Sequence, residues 1–146
     1  MVSAIVDDCN SLEDIAQVWN GLGEVSPVAK VLIVDDSPLL RMMVKDTLAK
    51  EGNEVFEAGT IEDALRIFIE VKPDLVVKDL FMPNSDGIEV IHHLKKINPQ
   101  VKIVVCSTES QKSMIYEAIK AGALDFLIKP LNQKMVALTI RRLVSS

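Results

Sequence analysis

Four places along the chain put polar side chains where an apolar run gives way to turn residues. Asp35-Asp36 follow Val31-Leu32-Ile33-Val34, Asp79 follows Leu75-Val76-Val77, Ser107 follows Ile103-Val104-Val105-Cys106, and Lys129 follows Leu124 to Ile128. Such short runs suit strands buried on both faces of a parallel sheet. After Asp79, Met82-Pro83-Asn84-Ser85-Asp86-Gly87 cannot continue a strand, so the strand stops near that carboxylate. Chemistry in open parallel sheets collects outside the carboxyl ends of the strands, which makes an acid there a functional candidate. Taken singly, each group has a plainer reading: a turn or helix cap for the Asp residues and Ser107, a solvated surface amine for Lys129. Three carboxylates within about 4 Å would repel by roughly 4 kcal/mol per pair at an effective dielectric near 20, a strain that a divalent cation relieves.

The elements that must position these groups repeat a strand-helix pattern from residue 30 onward. After the first apolar run, Ser37 offers an N-cap oxygen and Pro38 suits the first helical position, with Leu40, Met43, Val44 and Leu48 on one face before Gly52. Glu54 to Ala58 reads as a second, more exposed strand. Thr60 followed by Asp63 caps a helix carrying Ala64, Leu65, Ile67, Phe68 and Val71. Ile88, Ile91, Leu94 and Ile97 mark a third helix, and Met114, Ala118, Ile119 and Ala121 a fourth that ends at Gly122. Met135 to Leu143 closes the series. Five such units predict an α/β fold with a doubly wound five-stranded parallel sheet, because right-handed crossovers place helices on both faces.

Composition narrows the function. With 146 residues, 49% hydrophobic and 25% charged, the chain suits one domain over residues 30–146 and leaves no room for a second large one. A net charge of -5, with a pI of ≈ 5.0, and no Lys/Arg cluster argue against nucleic acid and for proteins and cations as partners. The N-terminus lacks a basic leader and no run reaches membrane-span length, so the expectation is a cytoplasmic protein with no membrane partner. Cys9 and Cys106 have no metal-ligand spacing, and Cys106 reads as a small core residue.

Taken together, Val34-Asp35-Asp36-Ser37, Asp79-Leu80-Phe81-Met82-Pro83 with Asp86-Gly87, Ser107, and Gly122 to Pro130 resemble the receiver domain of two-component response regulators, and look most like the CheY-type branch. The resemblance covers about residues 30–145. It implies a flavodoxin-like sheet in which Asp35 and Asp36 help hold magnesium, Phe81 adds its backbone carbonyl, and Asp79 accepts a phosphoryl group from a histidine kinase or phosphotransfer protein. It also implies a cis Lys129-Pro130 peptide. Lys129 would neutralise phosphoryl oxygens, and Ser107 and Phe126 would carry the switch: the hydroxyl moves inward and the ring turns to a buried position. The output partner is then expected on the face of the fourth helix, fifth strand and fifth helix, where Met114, Tyr116, Ile119 and Met135 exceed what packing needs.

Thr108 departs from the small residue usual beside the switch hydroxyl, and with Phe81 and Glu109 it leaves the phosphoryl lifetime open. His92 and His93, neighbours on a helix, read as surface residues. The competing readings are a magnesium-dependent phosphohydrolase with an aspartyl nucleophile, whose Asp-x-Asp motif is missing because Phe81 stands two after Asp79, and a flavodoxin-like cofactor binder, whose phosphate loop is absent. On this reading the chain is a switch rather than an enzyme and has no output domain after Ser146.

Residues 1–29 stand outside the resemblance. Ala4-Ile5-Val6-Asp7-Asp8 imitates Leu32-Ile33-Val34-Asp35-Asp36, but only the second copy is followed by Ser-Pro and a full helix, with its acids 43 and 44 residues before Asp79. Ser11 with Asp14 is expected to cap a short helix carrying Leu12, Ile15, Ala16 and Trp19, ending at Gly21 and docked on the domain as an N-terminal extension.

Overall fold

The structure, a computed structural model, describes residues 28–146. The expected helix at Ser11–Gly21 and Cys9 lie outside the described residues. Strands β1 (Lys30–Val34), β2 (Glu54–Ala58), β3 (Leu75–Asp79), β4 (Lys102–Thr108) and β5 (Asp125–Lys129) alternate with helices α1 (Pro38–Lys50), α2 (Ile61–Val71), α3 (Gly87–Ile97), α4 (Lys112–Ala121) and α5 (Gln133–Val144). All strand pairs are parallel, in the order β2-β1-β3-β4-β5. From β1 the chain crosses outward to β2, then returns past β1 to β3, so the strand order reverses between β1 and β3. That reversal opens a crevice at the carboxyl ends of these two strands.

Two apolar layers hold the sheet. Leu32, Val34, Val76, Ile103 and Val105 pack against Ala64 and Phe68 of α2, Ile91 and Leu94 of α3, and Ile115 and Ala118 of α4. On the other face Val31, Ile33, Leu75, Val77, Val104 and Leu127 meet Val44 and Leu48 of α1 and Val136, Ile140 and Leu143 of α5. Each large side chain so buried contributes about 1.5–3 kcal/mol. The alternation of faces along β3 is what aims Asp79 and its predecessor in opposite directions.

Side-chain caps open four of the five helices, at Ser37 and Thr60 as the sequence places them and at Asp86 and Asn132 besides. Ser37, Thr60, Asp86 and Asn132 accept hydrogen bonds from the backbone N–H groups of Leu40, Asp63, Ile88 with Glu89, and Met135. Gly122 closes α4 at φ 121°, a conformation L side chains rarely adopt. Gly87 opens α3 directly against the Leu80 carbonyl oxygen, which any Cβ there would strike. The Asp86-Gly87 pair thus fixes how the loop after Asp79 folds back over the strand ends. Strand β4 runs to Thr108, two residues beyond the apolar run, and the following turn (Glu109–Gln111) is 3-10 helix.

Candidate functional site: an acidic pocket at the strand ends

Asp35 and Asp36 end β1 and Asp79 ends β3, and carboxylate oxygens of all three lie within 4.8 Å of one another. Asp35 and Asp79 are buried, whereas Asp36 is exposed. Lys129, arriving from β5, places Nζ 3.2 Å from Asp35 Oδ2 and 3.2 Å from Asp79 Oδ2, bridging the two buried acids. Its Lys129-Pro130 peptide is cis. The Ser37 N–H donates to Asp35 Oδ1 at 2.8 Å, and the Phe81 N–H to Asp79 Oδ1 at 3.1 Å. Both acids are therefore oriented by the first residues of their own loops.

Burial pushes the Asp79 carboxyl above the usual range, against the opposing pull of the Phe81 N–H and Lys129. Burial also works to lower the Lys129 ammonium, but Asp79 and Asp35 outweigh it and the net shift is upward. One lysine facing two clustered acids leaves a residual negative charge beside exposed Asp36. Hard oxygen donors at this spacing, with few side-chain competitors, suit a magnesium ion that keeps several of its waters. The Phe81 carbonyl meets no hydrogen-bond donor among the described residues, which fits it as a further oxygen ligand.

The structure gathers Asp35, Asp36, Asp79 and Lys129, but not the hydroxyl of Ser107. Buried Ser107 donates to Gln111 Oε1 at 2.9 Å, and the same oxygen accepts from the Thr108 N–H at 3.2 Å. The exposed Thr108 hydroxyl pairs with Ser110 at 2.9 Å. The Phe126 ring is 42% exposed on β5, next to Val105 in register. Cys106 is fully enclosed in the α1–α5 layer, with burial pushing its thiol up to about 12, as a core residue should be. His92 and His93 are exposed on α3 and are not part of the acid cluster.

Lys78 belongs to none of the sequence motifs. It shares a sheet face with Val76, is 0% exposed, and donates to the Asp79 backbone carbonyl at 2.6 Å. The signal was present: a strand apolar on both faces leaves a lysine no route to water. Burial lowers its pKa to about 8, against the raising effect of Asp79 and Asp35. A folded-state pKa below the unfolded 10.5 means the cost is full below pH 8 and fades as pH rises through 8 to 10.5. Lys78→Met should therefore stabilise the metal-free protein by roughly 1–3 kcal/mol at pH 7, after the lost hydrogen bond. Urea melts at pH 7 and pH 9.5 check this: the advantage of Met should shrink at the higher pH. Burial, which pushes the Cys106 thiol up to about 12, keeps it protonated in the folded protein at pH 9.5 with or without Lys78, so the comparison stands.

A parallel five-stranded sheet of order 2-1-3-4-5 with an acid cluster at its switch point defines a flavodoxin-like domain built for phosphoryl or cation chemistry. The Response regulator receiver domain profile matches residues 31–141, and the chain belongs to that family. It is similar to the chemotaxis protein CheY of Thermotoga maritima, 47% identical over 108 residues that cover 73% of this chain and 90% of that protein. Sporulation initiation phosphotransferase F of Bacillus subtilis is 35% identical, over 69% of this chain and 82% of its own. Among solved structures, the chemotaxis response regulator CheY4 of Vibrio cholerae superposes with a TM-score of 0.71 at 32% identity, covering 78% of this chain and 97% of its own. The chain is thus a CheY-like receiver of two-component phosphorelay signalling, and the phosphohydrolase reading falls away.

Proposed function

We propose that Asp79 is the phosphoryl acceptor and that the chain works as a magnesium-dependent protein-binding switch in the cytoplasm, catalysing only its own phosphorylation and dephosphorylation. The observation that carries this is the position of Asp79: buried at the switch point, 3.2 Å from Lys129 and grouped with Asp35 and Asp36. An Asp79 carboxylate oxygen attacks phosphorus of a phosphohistidine on a kinase or phosphotransfer protein. The new O–P bond forms as the P–N bond breaks, and the imidazole leaves with the electron pair. Lys129 neutralises the phosphoryl oxygens, while the Phe81 N–H holds Asp79 in line. Asp35, Asp36, Asp79 and the Phe81 carbonyl would hold a magnesium ion, which would supply further charge neutralisation.

The signal leaves through Ser107 and Phe126. For Ser107 to reach a phosphoryl oxygen it must give up Gln111, and the turn Glu109–Gln111 that opens α4 moves with it. The space vacated lets the exposed Phe126 ring turn inward. The partner surface is the α4–β5–α5 face, where Tyr116, Ile119, Leu124, Phe126, Met135 and Leu138 are all large, apolar and exposed. Met114 instead packs on the core. A 10- to 100-fold change in partner affinity needs only about 1.4–2.7 kcal/mol of coupling, within reach of one hydrogen bond and one ring reorientation.

Incubation with acetyl phosphate followed by intact-mass measurement tests the reading. One phosphoryl group is expected with magnesium present and none with chelator. Equal labelling without the metal contradicts the proposed role of the acids.

A further inference from the structure

Asp35 is held at every polar group. Its N–H donates to the Ala58 carbonyl of β2 at 3.1 Å, its carboxylate takes the Ser37 N–H and Lys129, and its backbone carbonyl accepts Arg41 Nη1 at 2.6 Å. Asp36 has no such support: it is exposed, and its carboxylate meets no hydrogen-bond donor or ion-pair partner among the described residues. Only the backbone aims it. The peptide that joins the two acids is planar, so whatever fixes the Asp35 carbonyl also fixes the Asp36 nitrogen and narrows the directions in which the Asp36 side chain leaves the chain.

Arg41 reaches that carbonyl because of where the helix puts it. It lies one turn into α1, and helical side chains lean toward the helix N-terminus, so the guanidinium folds back over the end of β1. Glu57 of β2 steadies its far side: Glu57 Oε1 is 3.3 Å from Arg41 Nε, and Glu57 Oε2 is 3.4 Å from Lys45 Nζ. Arg41 Nε nevertheless makes no aligned hydrogen bond, so the group is aimed at the Asp35 carbonyl rather than at Glu57. Room for it comes from Gly59, where an added Cβ would stand 3.0 Å from Arg41 Nη1, closer than ordinary van der Waals contact.

We propose that Arg41 is a positioning residue of the acidic pocket: by holding the Asp35 carbonyl it sets the Asp36 carboxylate for a divalent cation. The proposal rests on the magnesium reading of the pocket and adds to it a residue that bonds none of the three carboxylates. Two effects of removing Arg41 oppose each other. Loss of a positive charge beside the acids draws a cation in more strongly, whereas loss of the carbonyl bond frees Asp36 from its place. Groups that orient a metal's ligands are worth about 10–100-fold in affinity, and Glu57 already offsets the arginine's charge, so the positional effect wins.

Magnesium titrations of the phosphoryl-free protein, followed by amide NMR shifts, read the sign. Arg41→Gln should bind magnesium about 10-fold more weakly than the parent. Arg41→Lys, which can still bring one ammonium to the carbonyl, should lie between the two. Gly59→Ala forces the guanidinium to give way without changing any charge, and should weaken binding in the same direction by a smaller factor. The magnesium concentration for half-maximal labelling by acetyl phosphate should rise in parallel, with the smaller change in the rate at saturating magnesium. Unchanged or tighter binding in Arg41→Gln overturns the proposal and leaves the arginine a bystander charge. If that variant fails to fold, Gly59→Ala decides: parent-like affinity there overturns the proposal. A parent that binds no magnesium overturns the reading of the pocket as well, which separates the two failures.

Discussion

Asp79→Asn is expected to remain folded and to take up no phosphoryl group from acetyl phosphate or a kinase. The amide keeps the shape of the carboxyl and can still accept the Phe81 N–H, but it supplies no anionic oxygen to attack phosphorus. Two side effects separate this outcome from simple misfolding. Removing one of three clustered acids weakens magnesium binding. It also removes a carboxyl whose pKa burial raises, a group that costs stability once ionised and costs nothing when protonated. Metal-free Asp79→Asn should therefore lose less stability than the parent as pH rises through the carboxylate range. Acid and neutral urea melts check the sign, and stoichiometric labelling of the variant would contradict the assignment.

Lys129→Met carries the second large effect: phosphorylation slower by about 10²–10³-fold, the usual consequence of deleting one preorganised electrostatic group. The ammonium touches both Asp35 and Asp79 and is itself only 23% exposed at its side chain. Without it the two buried acids lose their shared counter-charge, and their pocket becomes more negative. Magnesium should then bind more tightly while phosphoryl transfer falls. A merely structural lysine would not produce that opposition. Rapid-mixing measurement of labelling, with magnesium titration followed by a spectroscopic or calorimetric signal, reads both; equal rates in parent and variant would remove Lys129 from the mechanism.

Much of this site is legible in the sequence because it is written locally. Asp35-Asp36, Asp79 and Lys129 each end an apolar run, and Ser37 and Thr60 announce the helices that follow them, so order and spacing alone bring the groups to one edge of the sheet. What sequence left unsaid depends on side-chain direction. Lys78 sits one residue before the acceptor, and only the alternation of faces in a fully buried strand turns its ammonium into the α2–α4 layer to meet the Asp79 carbonyl. Gln111 had no motif of its own; it matters because the 3-10 turn after β4 brings its amide to Ser107. Met114 shows the converse limit, since four apolar residues read from sequence as one surface divide into three exposed and one on the core.

The account turns on one bond, an acyl phosphate at Asp79. Borohydride reduces an aspartyl phosphate to homoserine, leaving a mass change that peptide mapping can place at a single residue. After phosphorylation with magnesium and acetyl phosphate, homoserine should appear at position 79 and nowhere else in the chain. Homoserine at Asp35 or Asp36, or a phosphoryl group retained on His92 or His93 with position 79 unaltered, would contradict it.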